Sequence, residues 1–526
     1  MKAFARLLAR LVTTPSRTGK LRLVRDYLAT TPDPDRGYAL AALTGGLDLP
    51  GVKPALLRAL VAERVDEVLF RLSYDYVGDL AETIALIWDG REDSDLPLSE
   101  VVHQLGTAGK VEAARVVAGL LDRFDASSRH ALIKLATGAL RAGLSARLAK
   151  TALADHGGVA VDEIEEIWHG LRPPYPELFA WLDGRGPRPA AVGHAPFRPV
   201  MLATPLADKD SEMLDPSDFA AEWKWDGIRV QVVCEQGTRR IYTRTGDEIS
   251  AAFPDLSEAL MFEGAFDGEL LVRKGDGVAP FADLQQRLNR KTVDARLAAR
   301  FPAFIRAYDI LVWNGEDLRP LPFRDRRDRL ETAVAALGSP RVDLSPLVTF
   351  DSWTALARHR AEPPDPVIEG LMLKRWDSPY LAGRPKGAWF KWKRDPFLID
   401  AVLMYAQRGH GKRSSYYSDY TFGVWAADGT LTPVGKAYFG FTDEELLQID
   451  RYVRENTTDR FGPVRAVRAT RDRGLVVEVA FEGLNRSTRH KSGVAMRFPR
   501  ISRLRWDKPP SEADTLEGLS ALLPPA

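Results

Sequence analysis

The chain has 526 residues, with 73 Lys and Arg against 72 Asp and Glu, and one cysteine. That length predicts two to four domains, each able to bury its own core, and the near-neutral balance confines any nucleic-acid affinity to local patches. The lone Cys234 excludes a disulfide framework and a cysteine-built zinc site, and makes a reducing cytoplasm the expected setting.

No apolar run approaches the ~20 residues that cross a bilayer, so no membrane partner is expected. At the N-terminus, Phe4, Leu7, Leu8, Leu11 and Val12 follow helical spacing, and Arg10 interrupts the run a signal peptide would need. The segment predicts an amphipathic first helix.

Residues 1–184 read as an all-α domain. Leu21, Val24, Tyr27 and Leu28 keep helical spacing, as do Leu57, Leu60, Val61 and Val65, and again Val111, Ala114, Val117 and Leu121. In Arg141-Ala142-Gly143-Leu144-Ser145, a glycine separates two helical patterns and Ser145 is placed to cap the second. The glycine is either a plain inter-helix turn or a place where a phosphate approaches a helix N-terminus. Residues 185–197, rich in Pro, Gly and Ala, have the composition of a linker.

From 198 to 398 the pattern becomes α+β. Arg229–Glu235 and Arg240–Arg244 flank Gln236-Gly237 as a hairpin, and further strands read at Ala265–Val272, Phe304–Trp313, Val367–Arg375 and Ala388–Arg394. Helices are expected around Phe281–Arg290 and Arg324–Leu337. From 399 to 526, short strands (Ala401–Ala406, Tyr420–Ala426, Val464–Ala469, Leu475–Phe481) and one helix, Thr442–Glu455, suit an oligonucleotide-binding-type β-barrel.

Chemistry concentrates in a few stretches. Lys224 lies between Trp223 and Trp225, with Glu222, Asp226-Gly227 and Arg229 close by. It reads as a solvated lysine at a turn or as a nucleophile tuned by its neighbours. In Trp389-Phe390-Lys391-Trp392-Lys393, strand alternation puts both lysines on one face, where they suit a triphosphate or merely a wet edge. Asp267 and Glu269 share a face, and Glu369 emerges beside Gly370 in an apolar strand. Such carboxylates either pair with arginines or hold Mg²⁺ or Mn²⁺ against a substrate phosphate. Tyr308 is a candidate to stack on a base. No Gly-x-x-x-x-Gly-Lys-Ser/Thr loop occurs, so any ATP is held without one. Basic patches, one of Arg408, Lys412 and Arg413 and one running from Arg486 through Arg500 and Arg503 to Lys508, suit DNA phosphate contacts.

The order of these stretches is more specific than any one of them. Lys224-x-Asp226-Gly227-x-Arg229, Thr243-Arg244-Thr245-Gly246-Asp247, Asp267-Gly268-Glu269, Tyr308-Asp309-Ile310, Glu369-Gly370-Leu371-Met372-Leu373-Lys374, Trp389-Phe390-Lys391-Trp392-Lys393 and Arg497-Phe498-Pro499-Arg500 resemble the ordered motifs of ATP-dependent DNA ligases. The likeness extends over about 199–508, and residues 1–184 look like that family's DNA-binding domain. It implies a helical domain, an ATP-grasp-like adenylyltransferase domain and an oligonucleotide-binding barrel, acting as a monomer that encircles nicked duplex DNA in the cytoplasm, on the nucleoid of a prokaryote.

It also implies that Lys224 takes AMP from ATP and that nucleotide contacts come from Glu222, Arg229, Arg244, Glu269, Tyr308, Lys391, Lys393 and Arg497. Glu269 and Glu369 would hold the divalent metal, and Arg244, Lys412, Arg413, Arg500 and Arg503 would meet DNA. Neighbouring cations and the metal are expected to lower the pKa of Lys224. Tyr308 stands where the family has Phe more often, leaving a hydroxyl without a role, and the tryptophans beside Lys224 are bulkier than usual. The rival readings are an RNA ligase or another covalent nucleotidyltransferase, an NAD-dependent ligase (disfavoured by the single cysteine) and a non-catalytic nick-binding protein.

Overall fold

Helices follow one another from Lys2–Thr13 to Pro176–Leu182 in the computed structural model, which describes all residues except 48, 50, 51, 91, 92, 110, 111, 139, 141, 169, 190–194, 289, 291, 409–415 and 524–526. The first helix buries Phe4, Leu7, Leu8 and Leu11, as its spacing predicts. Helix starts carry the side-chain caps that satisfy their free N–H groups, among them Ser16, Asp66, Asp79 and Asp125. Of the third helical pattern, Val111 lies outside the described residues, and the helix Ala113–Arg123 buries Val117 and Leu121.

Gly143 is a turn with φ of 59°. The Lys20 ammonium donates to its carbonyl at 2.5 Å and to that of Ala142 at 3.3 Å. Ser145 Oγ accepts from the N–H of Leu148, starting the helix Ala146–Gly157. Arg141 lies outside the described residues.

One compact unit comprises residues 157–171 and 177–395, and the other comprises 1–156, 172–176 and 396–526. The first holds two sheets. In one, the strand order is Thr204–Pro205, Trp389–Lys393, Ile368–Arg375, Phe219–Trp225, Leu347–Val348. In the other it is Thr238–Thr243, Ile228–Glu235, Gly264–Lys274, Ala303–Trp313, Glu316–Asp317, with Val342–Leu344 added in parallel to Ala303–Trp313. The chain crosses from the first sheet to the second at Asp226-Gly227, two residues after Lys224. A Cβ on Gly227 would lie 2.6 Å from the Leu270 carbonyl oxygen and 2.9 Å from the Glu269 side chain, so only glycine lets the crossover pass so close.

In the C-terminal β domain, strands run in the order Leu431–Ala437, Tyr417–Trp425, Phe397–Arg408, Val464–Val467, Thr457–Phe461, and Val476–Phe481 bridges Phe397–Arg408 to Arg500–Arg505. The helix Asp443–Asn456 opens with a Thr442/Glu445 capping box. The sequence reading misses several of these strands. Arg500–Arg505 is one: Ile501 and Leu504 are buried, but four charged or polar neighbours mask the alternation. Among the described residues no helix is long and apolar enough to cross a membrane.

Candidate active site

The first sheet of the 177–395 unit presents its site residues in rows. Gly370 pairs with Lys224 on one side and with Lys393 on the other, and Met372 pairs with Glu222 and Lys391. Lys374 likewise lies between Ala220 and Trp389. Directly paired residues project to one face. Lys224 and Lys393 therefore flank a position without a side chain, two strand spacings or roughly 10 Å apart. Gly370 is required there, since its φ is 148° and a Cβ would meet the Trp392 carbonyl oxygen at 2.3 Å. The register slips between Ile368 and Gly370, and this irregularity holds Glu369. Such a bulge re-aims a side chain, and Glu369 makes an ion pair with the Lys224 ammonium.

A cavity of about 510 Å³ opens over these rows, and the second sheet closes it with Arg229, Arg244, Glu269 and Tyr308. Glu222, Lys224, Lys374, Lys391 and Lys393 line it from the first sheet. The pocket thus gathers Glu222, Lys224, Arg229, Arg244, Glu269, Tyr308, Lys391 and Lys393, with Glu369 in contact with Lys224. Arg497, Arg500 and Arg503 belong to the C-terminal β domain, where Arg503 approaches Glu478 at 3.5 Å. Lys412 and Arg413 lie outside the described residues.

Charge around Lys224 differs from the expectation. Burial lowers its pKa, but Glu369, Glu269 and Asp226 outweigh that and hold the ammonium above its ordinary value. The nearest charges are carboxylates, so the resting lysine is protonated. Glu269 is pushed up to about 8, first by burial and then by Glu369 and Asp267, against the pull of Lys224 and Arg229. A cation between Glu269 and Glu369 would relieve that repulsion. Among the described residues no group of three or more His, Cys, Asp or Glu side chains could hold a metal ion. Two carboxylates, Glu269 and Glu369, suit a divalent ion completed by substrate oxygens and water.

Lys391 is shifted the other way. Burial lowers its pKa, and Lys393, Arg384, Lys224 and Arg244 add to that. These cations form the phosphate-seeking side of the pocket.

Beneath them runs a buried polar network. Asp267 accepts from Arg229 Nε at 3.0 Å and Nη2 at 2.5 Å, and from the Tyr380 hydroxyl at 2.6 Å. The Tyr308 hydroxyl donates to the same carboxylate at 3.2 Å, which gives the extra oxygen its role. Tyr308→Phe should therefore keep adenylylation by ATP within a few-fold of wild type while costing about 1 kcal/mol of stability in a denaturant titration. An unchanged midpoint would refute that role. Trp225 packs under Arg306 at 4.3 Å and Trp223 meets His359 edge-on at 6.3 Å, so both bulky neighbours of Lys224 are absorbed by packing.

Sequence reasoning missed Arg327 and Arg384, and it quoted Lys374 in a motif without giving it a role. Lys374 shares the face of Gly370 and Met372, so strand alternation could have found it. Arg327 approaches through a helix, Phe323–Leu337, whose period says nothing about the pocket.

A lysine among carboxylates, opposite a cluster of cations, can hold a nucleoside triphosphate and accept its nucleotidyl group. The comparisons agree. Residues 200–393 match the model of the ATP dependent DNA ligase domain, and residues 413–508 that of the ATP dependent DNA ligase C terminal region. A probable DNA ligase of Koribacter versatilis is 31% identical over 98% of this chain and 95% of its own length. DNA ligase 1 of Korarchaeum cryptofilum is 30% identical over 98% of this chain and 97% of its own. The solved structure Pmar-Lig_Pre shares the fold, with a TM-score of 0.63 over 96% of this chain and 99% of that one at 15% identity.

The chain belongs to the ATP-dependent DNA ligase family. It is an enzyme that seals nicks in duplex DNA with ATP, through the lysyl-AMP intermediate general to that family.

Proposed function

We propose that Lys224 is the residue that carries AMP. Its amine attacks the α-phosphorus of ATP, the bond to the β-phosphate oxygen breaks, and pyrophosphate leaves. The AMP then passes to the 5′-phosphate at a nick, freeing the lysine. Last, the 3′-hydroxyl attacks that phosphate and AMP departs as the strand closes. The observation that carries this assignment is the row Lys224–Gly370–Lys393, in which a nucleophile faces a cation across an open position.

The other residues take the roles that the family's ordered motifs imply for them. Glu222 meets the edge of the adenine and Tyr308 its face, while Arg229, fixed by Asp267, approaches the ribose. Lys391 and Lys393 neutralise charge on the α-phosphate, and Arg244 meets the nucleotide and then the 5′-phosphate of the nick. Glu269 and Glu369 would hold Mg²⁺ or Mn²⁺, which would supply positive charge to phosphate oxygens. The Lys224 amine must lose the proton that its pairing with Glu369 favours before it attacks. Arg497 orients the pyrophosphate when the C-terminal domain moves over the site. Arg500, Arg503, Lys412 and Arg413 contact DNA phosphates.

The architecture we propose is a helical DNA-binding domain at 1–184, a linker at 185–197, an ATP-grasp-like adenylyltransferase domain at 198–398 and an oligonucleotide-binding barrel at 399–526. It works as a cytoplasmic monomer around nicked DNA. ATP labelled at the α-phosphate, given with Mg²⁺, should leave label on the denatured protein, and ATP labelled at the γ-phosphate should not. Pyrophosphate or nicked DNA should remove the label. Labelling by NAD in place of ATP would overturn the reading.

A further inference from the structure

Glu222 is 2% exposed yet lines the nucleotide cavity, and both of its oxygens are held by buried cations. Arg327 Nη1 donates to Oε1 at 3.0 Å, and the Lys374 ammonium approaches Oε2 at 2.6 Å. Each cation is itself anchored. Arg327 also donates to the Ser345 carbonyl at 2.8 Å and to Glu331 at 2.7 Å. Lys374 donates to the Tyr308 carbonyl at 2.8 Å and sits 4.4, 4.8 and 4.7 Å from the ring centres of Tyr308, Phe323 and Trp389.

Burying three charges at the edge of a ligand pocket is costly, and apolar side chains would stabilise the domain as well. Their arrangement has a chemical consequence. An ionised carboxylate has about four acceptor sites and no donor. With one site on each oxygen taken by a fixed cation, the remaining lone pairs have fixed directions. Burial pushes the Glu222 carboxyl upward, and Lys374 and Arg327 pull it back, with Asp309 opposing them. Without either cation the group would protonate and become a donor as well, or turn away.

We propose that Lys374 and Arg327 are positioning residues for nucleobase selection, locking Glu222 as an acceptor that takes a purine with an amino group at C6 and rejects one with a carbonyl there. This rests on Glu222 meeting the base edge, as proposed above. ATP and inosine triphosphate differ in that group, so their ratio reads the lock directly. A site built to pair a polar group discriminates by up to roughly 10⁴–10⁵-fold, because the mismatch leaves buried groups unpaired.

The test is single-turnover self-adenylylation at varied ATP and inosine triphosphate, with circular dichroism to verify folding. Wild type should prefer ATP by more than about 100-fold. In Lys374→Met that preference should fall at least tenfold, with a higher half-saturating ATP concentration and a maximal rate near wild type. Lys374→Arg should restore most of the preference. Arg327→Lys keeps the charge but cannot reach Glu222, Ser345 and Glu331 together, and should shift the ratio in the same direction even if Lys374→Met fails to fold. A wild-type ratio in the folded variants at both positions overturns the proposal. Glu222→Ala separates the two levels: if it too keeps the wild-type ratio, Glu222 does not read the base at all. If it loses the ratio while the Lys374 and Arg327 variants keep it, only their positioning role falls.

Discussion

Replacing Lys224 by alanine should abolish covalent labelling by ATP, a loss on the order of 10⁶-fold, the scale on which removing a nucleophile acts. The geometry leaves no substitute. Lys393 lies across Gly370, two strand spacings away, and Lys391 is one row further along, both on the cationic side of the cavity. The variant should still close a nick whose 5′-phosphate already carries AMP, because that last step uses the 3′-hydroxyl and not the lysine. It should also still bind nicked DNA. Removing the ammonium leaves Glu369 and Glu269 facing each other with less compensation, so the folded variant should reach its half-maximal rate in this last step at a lower divalent-metal concentration. Persistent labelling of the alanine variant at another residue would sink the assignment, whatever the sealing assay shows.

Legibility differed by the kind of structure involved. Lys224, Glu269, Lys391 and Lys393 were readable because strands alternate: a residue's face follows from its neighbours, and ordered motifs fix which strands matter. Their meeting in one cavity was not readable. It depends on the crossover at Gly227, on a bulge that aims Glu369, and on Gly370 lying between Lys224, 146 residues before it, and Lys393, 23 residues after it. The pKa of Lys224 was misjudged for the same reason. Motif lysines suggested a cationic neighbourhood, whereas the nearest groups in space are Glu369 and Glu269. Arg327 escaped notice because a helix of otherwise ordinary pattern carries it to Glu222. The hydroxyl of Tyr308 made no sense until Asp267 was seen to collect donors from two strands and a loop.

Lys391→Ala should slow single-turnover adenylylation by roughly 10²–10³-fold, the cost of losing one preorganised charge at a developing oxyanion. Nick binding should stay near wild type, because one ammonium among several basic residues contributes little of a backbone-wide electrostatic attraction. Lys391 shares a row with Met372 and Glu222, so a nucleotide whose base edge lies at Glu222 has its phosphates further toward Lys391 and Lys393. Burial and the surrounding cations already depress the pKa of Lys391. A bound triphosphate reverses that balance, favouring the charged ammonium where charge builds on the phosphate. If Lys391 merely attracted ATP, the variant would recover at saturating ATP, and only the half-saturating concentration would change. A charge acting in the transition state instead lowers the maximal rate, and no excess of ATP restores it. Lys386→Ala, an exposed lysine outside the pocket lining, serves as the control and should do neither.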